Sequence, residues 1–397
     1  MITRFSTVYP GHIDLPDHGQ NATPANERRF SNEALAGVFG KTERIATLMD
    51  SLGWDTLWLA EHHFQHEGYE VIPNLLMAAV HLAHLTKTLK IGCGFNIAPM
   101  WHPLRLAEDY ATADILSGGR ITFGVGRGYH TREVETFGSP LLDQAANREL
   151  FEEQVDIVFK AFNNESFSHE GKYYTIPARV PYRGYDLKEL TLVPRPLRRP
   201  VECWQPIQGG TGRAMDFMAR MGIKGLVGGG VAEGGAGHNV LLAWQQAHAK
   251  YGQQLELGER LAIGFHCYIA KTREQGIREA GKFHEENLKM FGELRLARAL
   301  NQEQIEVMRD PRHAPSADLP RIEGAIAAGG VLCGPPEQII EELKQLEKRY
   351  PGLERVLVQE WVGVPRSVCL EQMERFATEV MPAFNIERAR ARTPALA

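Results

Sequence analysis

Apolar residues along the chain alternate between short unbroken runs and longer stretches with helical spacing. A short apolar run is typical of a strand buried on both faces, whereas apolar residues three and four positions apart are typical of a helix. The runs predict strands at residues 5–9, 56–60, 89–95, 121–125, 201–205, 225–227, 261–270 and 355–359. The helical spacing predicts helices at residues 33–52, 74–85, 104–116, 147–162, 240–251, 336–349 and 366–380, another that ends at 221, and two more within 273–309.

This alternation of strands and helices predicts a parallel sheet with helices around it. About eight strands follow one another at barrel spacing, so we predict an α/β fold, a (β/α)8 TIM barrel with insertions in its βα loops. We expect a single domain over residues 1–397, with insertions at about 163–200 and 273–330, the first containing a short β-hairpin at HEGKYYTIP. A doubly wound sheet would need a phosphate fingerprint directly after its first strand, and YPGHID does not supply one.

The strand predicted at residues 56–60 is followed at once by Glu61, His62 and His63. In a (β/α)8 barrel the carboxyl ends of the strands form the active-site rim, so these ionisable groups are candidate catalytic residues. A histidine satisfied by structural contacts is the plainer alternative. A metal site that includes His66 is disfavoured, because adjacent histidines on an extended segment point to opposite sides and no HExxH or CxxC motif accompanies them. We therefore predict no metal.

Two glycine-containing segments and one arginine suggest binding of an anion. The GVGRG run at residues 124–128 ends a strand and carries Arg127, which could pair with a phosphate. A tight turn with an arginine on the surface is an alternative interpretation of the same residues. The GGTG turn at 209–212 precedes a helix, whose N-terminal amides favour an anion, although a simple helix cap is the alternative. Arg148 lies in the first turn of a helix, where the helix dipole disfavours a cation unless an anion is bound nearby.

The amino-acid composition excludes several classes of protein. The net charge of −5 and the dispersed basic residues argue against non-specific binding of nucleic acid. The five cysteines are isolated and odd in number, as expected for reduced thiols rather than a disulfide framework. Neither a signal peptide nor a stretch of about 18 apolar residues is evident, so we expect a cytoplasmic protein without a membrane segment.

Four segments taken together resemble the bacterial luciferase-like, flavin-dependent monooxygenase family. They are GWDTLWLAEHHF at residues 53–64, His102-Pro103 through Glu108-Asp109, GGRITFGVGRG at 118–128 and GPPE at 334–337. The resemblance extends from about residue 5 to 382. It implies the barrel fold and a flavin-binding active site.

The resemblance also implies roles for individual residues. His62 would be the catalytic histidine beside the reactive edge of the flavin. Glu133 matches an acidic residue near the active-site entrance, and we count it with Glu61 among the candidate catalytic residues. The FMN phosphate would be held by Arg127 and Arg148 with the backbone of Gly210 and the hydroxyl of Thr211. The flavin ring would lie near Gly94 and Phe95, whose connecting peptide matches a cis bond in relatives.

By the same resemblance, we expect a two-component monooxygenase. A separate NAD(P)H:flavin reductase would supply reduced FMN, which would react with O2 to a C4a-(hydro)peroxyflavin and oxygenate a small, largely apolar substrate by hydroxylation or Baeyer–Villiger insertion. We also expect a homodimer. The alternatives are a deazaflavin-dependent oxidoreductase of the same fold, a non-catalytic flavin-binding protein, and, third, a metal hydrolase.

Overall fold

A closed barrel of eight parallel strands forms the centre of the computed structural model, which describes residues 1–208, 212–291, 301–308 and 319–384. The register is continuous around the ring, because Arg4 of the first strand pairs with Arg355 of the last. The predicted TIM barrel is thereby confirmed. In chain order the strands are β1 (Arg4–Tyr9), β2 (Thr56–Leu59), β3 (Lys90–Cys93), β4 (Ile121–Gly126), β5 (Cys203–Ile207), β6 (Lys224–Gly228), β7 (Leu261–Ile269) and β8 (Arg355–Gln359).

Helices connect successive strands on the outside of the barrel, and their ends follow local sequence signals. The first begins after Ser31, whose side chain accepts a hydrogen bond from the amide of Ala34, and ends at Gly53, where φ is 80°. The helices in the described residues are α1 (Asn32–Leu52), α2 (Leu75–Leu85), α3 (Pro103–Leu116), α4 (Thr131–Val134), α5 (Gln144–Asn163), α6 (Gly212–Met221), α7 (Ala236–Ala249), α8 (Arg273–Phe291), α9 (Gln302–Met308), α10 (Ile322–Ala327), α11 (Pro336–Arg349) and α12 (Arg366–Arg375).

Short strands besides the eight of the barrel include a pair in the first predicted insertion and one strand directly after the second. His169–Glu170 pairs antiparallel with Thr175–Ile176, which confirms the hairpin predicted from HEGKYYTIP. Val331–Gly334 forms an additional strand alongside β7. The sequence pattern predicted no strand here, only a helix from residue 336. Three apolar residues and a glycine, between a glycine pair and a proline, are too few for their periodicity to indicate a strand.

The interior of the barrel is filled with side chains. The ring of Trp58 is fully buried, and its centroid lies 5.7 Å from that of Trp204. A Cβ atom on Gly92 would lie 2.3 Å from the Trp58 ring, so glycine is required beside it. Because the interior is packed, a ligand has to bind at the mouth of the barrel.

Among the residues that the structure describes, none of the helices combines the length and the apolar character needed to span a bilayer.

Candidate active site

A cavity of about 380 Å³ lies at the carboxyl ends of the barrel strands. Its wall includes His62 after β2, Gly94 after β3, Arg127 after β4 and Glu360 after β8. Residues that are far apart in the sequence thus meet at one rim, as the barrel topology requires. The apolar part of the wall comes from side chains such as Ile207, Met215, Met218, Phe291 and Val362.

His62 is buried and contacts carboxylates on both sides of its ring. Its Nδ1 atom lies 3.3 Å from both carboxylate oxygens of Glu133, and its Nε2 atom lies 3.2 Å from Oε1 of Glu70. Burial by itself lowers the pKa of His62, but the negative charges of Glu70 and Glu133 outweigh it and raise that pKa above the ordinary value. The imidazolium form, which carries a proton on both nitrogens, is therefore favoured.

Glu70 links His62 to two further side chains of the site. The Tyr129 hydroxyl donates to Oε1 of Glu70 at 2.9 Å and also lies 2.9 Å from Nε2 of His62. Oε2 of Glu70 lies 3.0 Å from Nε2 of His130. Sequence reasoning did not single out Glu70, because it lies in a loop with no strand end or motif beside it.

Glu133 is held as a carboxylate by several contacts. Its oxygens contact the His62 ring and accept hydrogen bonds from the backbone amide of His63 at 3.0 Å and from Nε2 of Gln65 at 3.1 Å. Burial would raise the pKa of Glu133, but the hydrogen bond and positive charge of His62, with further help from His130, lower it to about 2. The structure thus brings the predicted pair Glu133 and His62 into direct contact.

Glu61, the third predicted catalytic residue, binds groups of the protein itself. Its carboxylate accepts hydrogen bonds from the amide of Ile97 and the indole of Trp101, both at 2.9 Å, and Oε1 lies 3.1 Å from Nε2 of His63. Burial raises the pKa of Glu61. These contacts connect β2 to the segment after β3, and they favour a positioning role for Glu61 over proton transfer.

The side chains of His62, Glu70 and His130 could also act as metal ligands. One ligand atom from each lies within 4.8 Å of the others, and all three residues are buried. Glu70 lies in the same loop as His62 but outside the run from Glu61 to His66, and His130 follows β4, so the spacing within that run does not exclude these ligands. Metal binding would have to replace the contacts that Glu70 already makes with both rings.

Arginine side chains cluster where α5 and α6 approach the end of β4. Arg127 donates to Gln144 at 3.3 Å through Nη2, while its buried Nη1 has no hydrogen-bond partner among the described residues. Burial and the neighbouring positive charge of Arg148 lower the pKa of Arg127 to about 10. An anion would pair with this guanidinium and offset the repulsion.

The carboxylate of Glu152 contacts two arginines of this cluster. Arg213, in the first turn of α6, donates to Glu152 at 2.8 and 3.2 Å, and Arg148 lies 3.9 Å from the same residue. Positive charge therefore exceeds negative charge in this cluster, which fits a phosphate group. Sequence reasoning identified Arg127 and Arg148 but not Arg213. The predicted phosphate ligands Gly210 and Thr211 lie outside the described residues.

The peptide between Gly94 and Phe95 is cis, as the resemblance implied, and both residues line the cavity. The neighbouring strand approaches this segment closely, because a Cβ atom on Gly124 would lie 2.1 Å from the carbonyl oxygen of Cys93. Glycine at position 124 is therefore required for this packing. The arrangement leaves a surface of backbone and Phe95 against which a flat ring can lie.

Comparison with known protein families gives one match that spans most of the chain. A sequence model of the family described as luciferase-like monooxygenase matches residues 4–351. Limonene 1,2-monooxygenase from Rhodococcus erythropolis is 25% identical over 368 residues, which cover 90% of this chain and 84% of that protein. The oxygenase component of the flavin-dependent trigonelline monooxygenase from Acinetobacter baylyi is 26% identical over 174 residues, 44% of each chain. The chain spans between 38% and 44% of the length of the first curated relatives that it matches.

Solved structures share the fold over the whole chain. The oxygenating constituent of 3,6-diketocamphane monooxygenase from Pseudomonas putida, a type II Baeyer–Villiger enzyme in complex with FMN, superposes with a TM-score of 0.70 at 18% identity, covering 98% of this chain and 100% of that one. The coenzyme F420-dependent tetrahydromethanopterin reductase from Methanopyrus kandleri gives a TM-score of 0.64 at 16% identity, covering 97% and 100%. At these identities the likeness shows the fold alone.

Proposed function

This chain belongs to the luciferase-like monooxygenase family, and from that premise we propose that it is the oxygenase component of a two-component flavin-dependent monooxygenase. In the proposed reaction one oxygen atom of O2 enters the substrate, the other leaves as water, and reduced FMN is oxidised. Reduced FMN, when bound, supplies the two electrons for oxygen activation. The observation that carries the proposal is a single cavity that joins the buried imidazole of His62 to the incompletely paired guanidinium of Arg127.

Arg127 and Arg148 are the proposed ligands of the FMN phosphate. Both line the cavity, and the free Nη1 of Arg127 offers a donor that no described protein group uses. We add Arg213 to this set, and we retain the predicted roles of Gly210 and Thr211 because they directly precede α6. Gly94 and Phe95 provide the proposed surface for the flavin ring.

His62 is the proposed proton donor of the site. Its imidazolium form is stabilised by Glu70 and Glu133, and its Nε2 atom contacts the Tyr129 hydroxyl at the cavity wall. A proton held at Nε2 can therefore pass to oxygen in the cavity directly or through Tyr129. Glu133 orients the ring from the Nδ1 side, and Glu61 fixes the segments on which the site is built.

Two further features of the proposed enzyme are the exclusion of water from its cavity and its partner proteins. The apolar wall made by Ile207, Met218, Phe291 and Val362 limits access of water to the reacting atoms. One relative is named an oxygenase component, which supports a separate NAD(P)H:flavin reductase as partner of this chain. We also propose that residues 1–397 form one domain that assembles as a homodimer.

The proposal is tested by mixing the anaerobic protein, loaded with photoreduced FMN, with buffer that contains 18O2. We expect the bound flavin to reoxidise more slowly than free reduced FMN, and a ketone, alkene or alcohol screen to yield a product with one 18O atom. Reoxidation at the rate of free flavin, with no labelled product, would contradict the proposal. Tight binding of a deazaflavin in the same sample would then favour a hydride-transfer enzyme.

A further inference from the structure

Four polar side chains line the cavity on the side of β7 and β8. They are His266 on β7, Asn287 on α8, Gln359 at the end of β8 and Glu360 directly after it, and we call them the polar end. None was singled out from the sequence. Glu360 satisfies the same rule that identified Glu61, namely an ionisable residue at the carboxyl end of a barrel strand.

The polar end lies across the barrel from the arginine cluster. In the closed ring the strand order is β1 to β8, so β8 is four strands away from β4 in either direction. Arg127 follows β4 and Glu360 follows β8. The two groups therefore occupy opposite sides of the mouth, and the phosphate of a bound flavin does not account for the polar end.

Three members of the polar end offer buried atoms without a partner. Oε2 of Glu360, Oδ1 of Asn287 and Nδ1 of His266 have no hydrogen bond to any described residue. Buried polar atoms are paired in the large majority of native structures, so unpaired ones in a cavity wall indicate a ligand that completes them. Gln359 is positioned beside them, with its Nε2 atom 3.3 Å from Nε2 of His266.

The polar end is held rigidly by its surroundings. The His266 ring stacks on Trp361, with centroids 4.9 Å apart and an angle of 5° between the planes. Asn287 follows Glu286, which is buried and accepts hydrogen bonds from the Tyr69 hydroxyl at 2.5 Å and from the amide of Gly19 at 3.1 Å. The ring of His266 and the part of α8 that carries Asn287 are thus anchored, which suits this side of the cavity to recognise a substrate group in one orientation.

The four side chains favour an uncharged ligand. Burial, with a contribution from His284, lowers the pKa of His266 to about 3, so its ring is neutral. Burial raises the pKa of Glu360 well above the ordinary value, which favours the neutral acid. The cation that acts on Glu360 is Lys41, and its ammonium group is already engaged by Asp14, His12 and the carbonyl of Val364.

We propose that the polar end binds an uncharged hydroxyl, carbonyl or amide group of the substrate, and that Glu360 and Asn287 are its specificity-determining residues. This inference rests on the proposed function, because it names the substrate class of the same cavity. It revises the expectation of a largely apolar substrate. The natural substrate is then an oxygen- or nitrogen-bearing compound whose polar group is anchored away from the phosphate side of the flavin.

The test compares small probes on the FMN-loaded full-length protein. Dissociation constants for cyclohexanol, cyclohexanecarboxamide and methylcyclohexane are measured by ligand-observed NMR titration for the wild type, Glu360→Gln, Glu360→Leu and Asn287→Leu. We compare between proteins the ratio of the dissociation constant of methylcyclohexane to that of cyclohexanol. The free energy of transferring each probe out of water is the same for every protein, so it cancels in this comparison. We expect this ratio to fall about tenfold or more in both leucine variants, since a buried hydrogen bond to the probe is lost, and to be kept in Glu360→Gln.

Three results would overturn the inference. The first is a ratio that changes less than about twofold in both leucine variants. The second is cyclohexylammonium binding that weakens in Glu360→Gln while cyclohexanol binding does not, because Glu360 would then act as a counter-ion. The third is a loss of FMN affinity in Glu360→Leu as large as the loss of cyclohexanol affinity, because the polar end would then hold the flavin.

Failure of the proposed function would give different results from failure of the inference about the polar end. If the FMN-loaded wild type binds the polar probes with the expected ratios but incorporates no 18O, the cavity keeps its specificity and the monooxygenase assignment is lost. If FMN binding and 18O incorporation hold while the ratios are unchanged, the polar end alone is refuted. Melting temperatures of the variants confirm that each one is folded.

Discussion

Nδ1 of His62 lies 3.3 Å from both carboxylate oxygens of Glu133, a residue 71 positions further along the chain. Glu133 has a pKa of about 2 in this contact, and the pKa of His62 is raised. Both shifts favour the charged forms of the pair, imidazolium and carboxylate. Glu70 on the opposite edge of the ring adds a second negative charge, and Glu61 contributes a smaller attraction.

Removal of the Glu133 charge tests whether His62 acts as the proton donor. In Glu133→Gln we expect the pKa of His62 to fall by about one unit or more, because a close opposite charge no longer favours the imidazolium. Since the donor form is lost as pH rises through the pKa of His62, the falling limb of the kcat/KM profile moves to lower pH. Nitrogen-15 NMR titration of the histidines measures the same shift directly. Glu108→Gln, in a surface pair with Arg105, is the control, and an unmoved limb in Glu133→Gln would contradict the assignment.

His62→Ala separates chemistry from cofactor binding. We expect kcat for product formation to fall by about 10² or more, a typical contribution of general acid catalysis, while FMN affinity changes little because the proposed phosphate ligands are intact. His66→Ala, on an exposed ring four residues away, is the matched control. Both constants are measured under the same reductase supply, and a turnover equal to that of the control would refute the catalytic role.

Arg127→Ala tests the phosphate site through the choice of ligand. FMN binding should weaken about tenfold or more, since a charge-assisted hydrogen bond is lost, whereas riboflavin, which lacks the phosphate, should bind almost as before. Fluorescence titration of both flavins against the wild type, Arg127→Ala and the exposed Arg105→Ala gives the comparison. Equal losses for the two flavins would show that Arg127 does not contact the phosphate.

The barrel could be predicted from the sequence because each of its strands is a local feature. The run at β2 and the helix end at Gly53 each carry their own signal within a few residues. Val331–Gly334 was missed because its three apolar residues, followed by Gly334, stand between a glycine pair and two prolines and are too few to show a period. Local patterns thus predict the order of strands and helices in the barrel, whereas the short strand Val331–Gly334 depends on its tertiary pairing with β7.

The site could be predicted only where the strand-end rule and the resemblance applied. His62 and Arg127 follow strands directly, and both line the cavity. Glu70 lies in a loop and contacts His62 only after folding, so no spacing in the sequence relates the two. Glu360 obeys the strand-end rule as well as Glu61 does, and consistent application of that rule would have found it.

Zinc binding at His62, Glu70 and His130 is predicted to inhibit the enzyme rather than support it. A metal would need a neutral imidazole at His62, whereas the proposed reaction needs the imidazolium, so Zn2+ and the catalytic proton compete. We expect inhibition by Zn2+ that strengthens as pH rises, reversal by EDTA, and unchanged turnover after EDTA treatment alone. His130→Ala should weaken the inhibition, while Mg2+, which prefers oxygen ligands, should have little effect. Loss of turnover on chelation would instead identify a metal that the reaction requires.

The amino end of the barrel should depend on an ion pair, and acid should weaken it. Asp55, just before β2, is buried and contacts the guanidinium of Arg355 and the hydroxyl of Thr56. Burial would raise the pKa of Asp55, but Arg355 and Lys90 lower it from 3.8 to about 2. The stabilisation linked to this shift, about 2 kcal/mol, is complete above pH 3.8 and is lost as pH falls through about 2.

In Asp55→Asn we expect the free energy of unfolding at pH 7 to fall by about 3–5 kcal/mol, because a buried arginine loses its partner. The difference from the wild type should narrow below pH 3.8, because Asp55 of the wild type then takes up a proton in the unfolded chain while it is still ionised in the folded one, which lowers the stability of the wild type. Urea unfolding at pH 7 and at pH 3 measures both values, with the more exposed Asp109→Asn as the control. A difference that stays constant between the two pH values would show that the Asp55 charge does not stabilise the barrel, and the cost of the variant would then come from altered packing around Arg355.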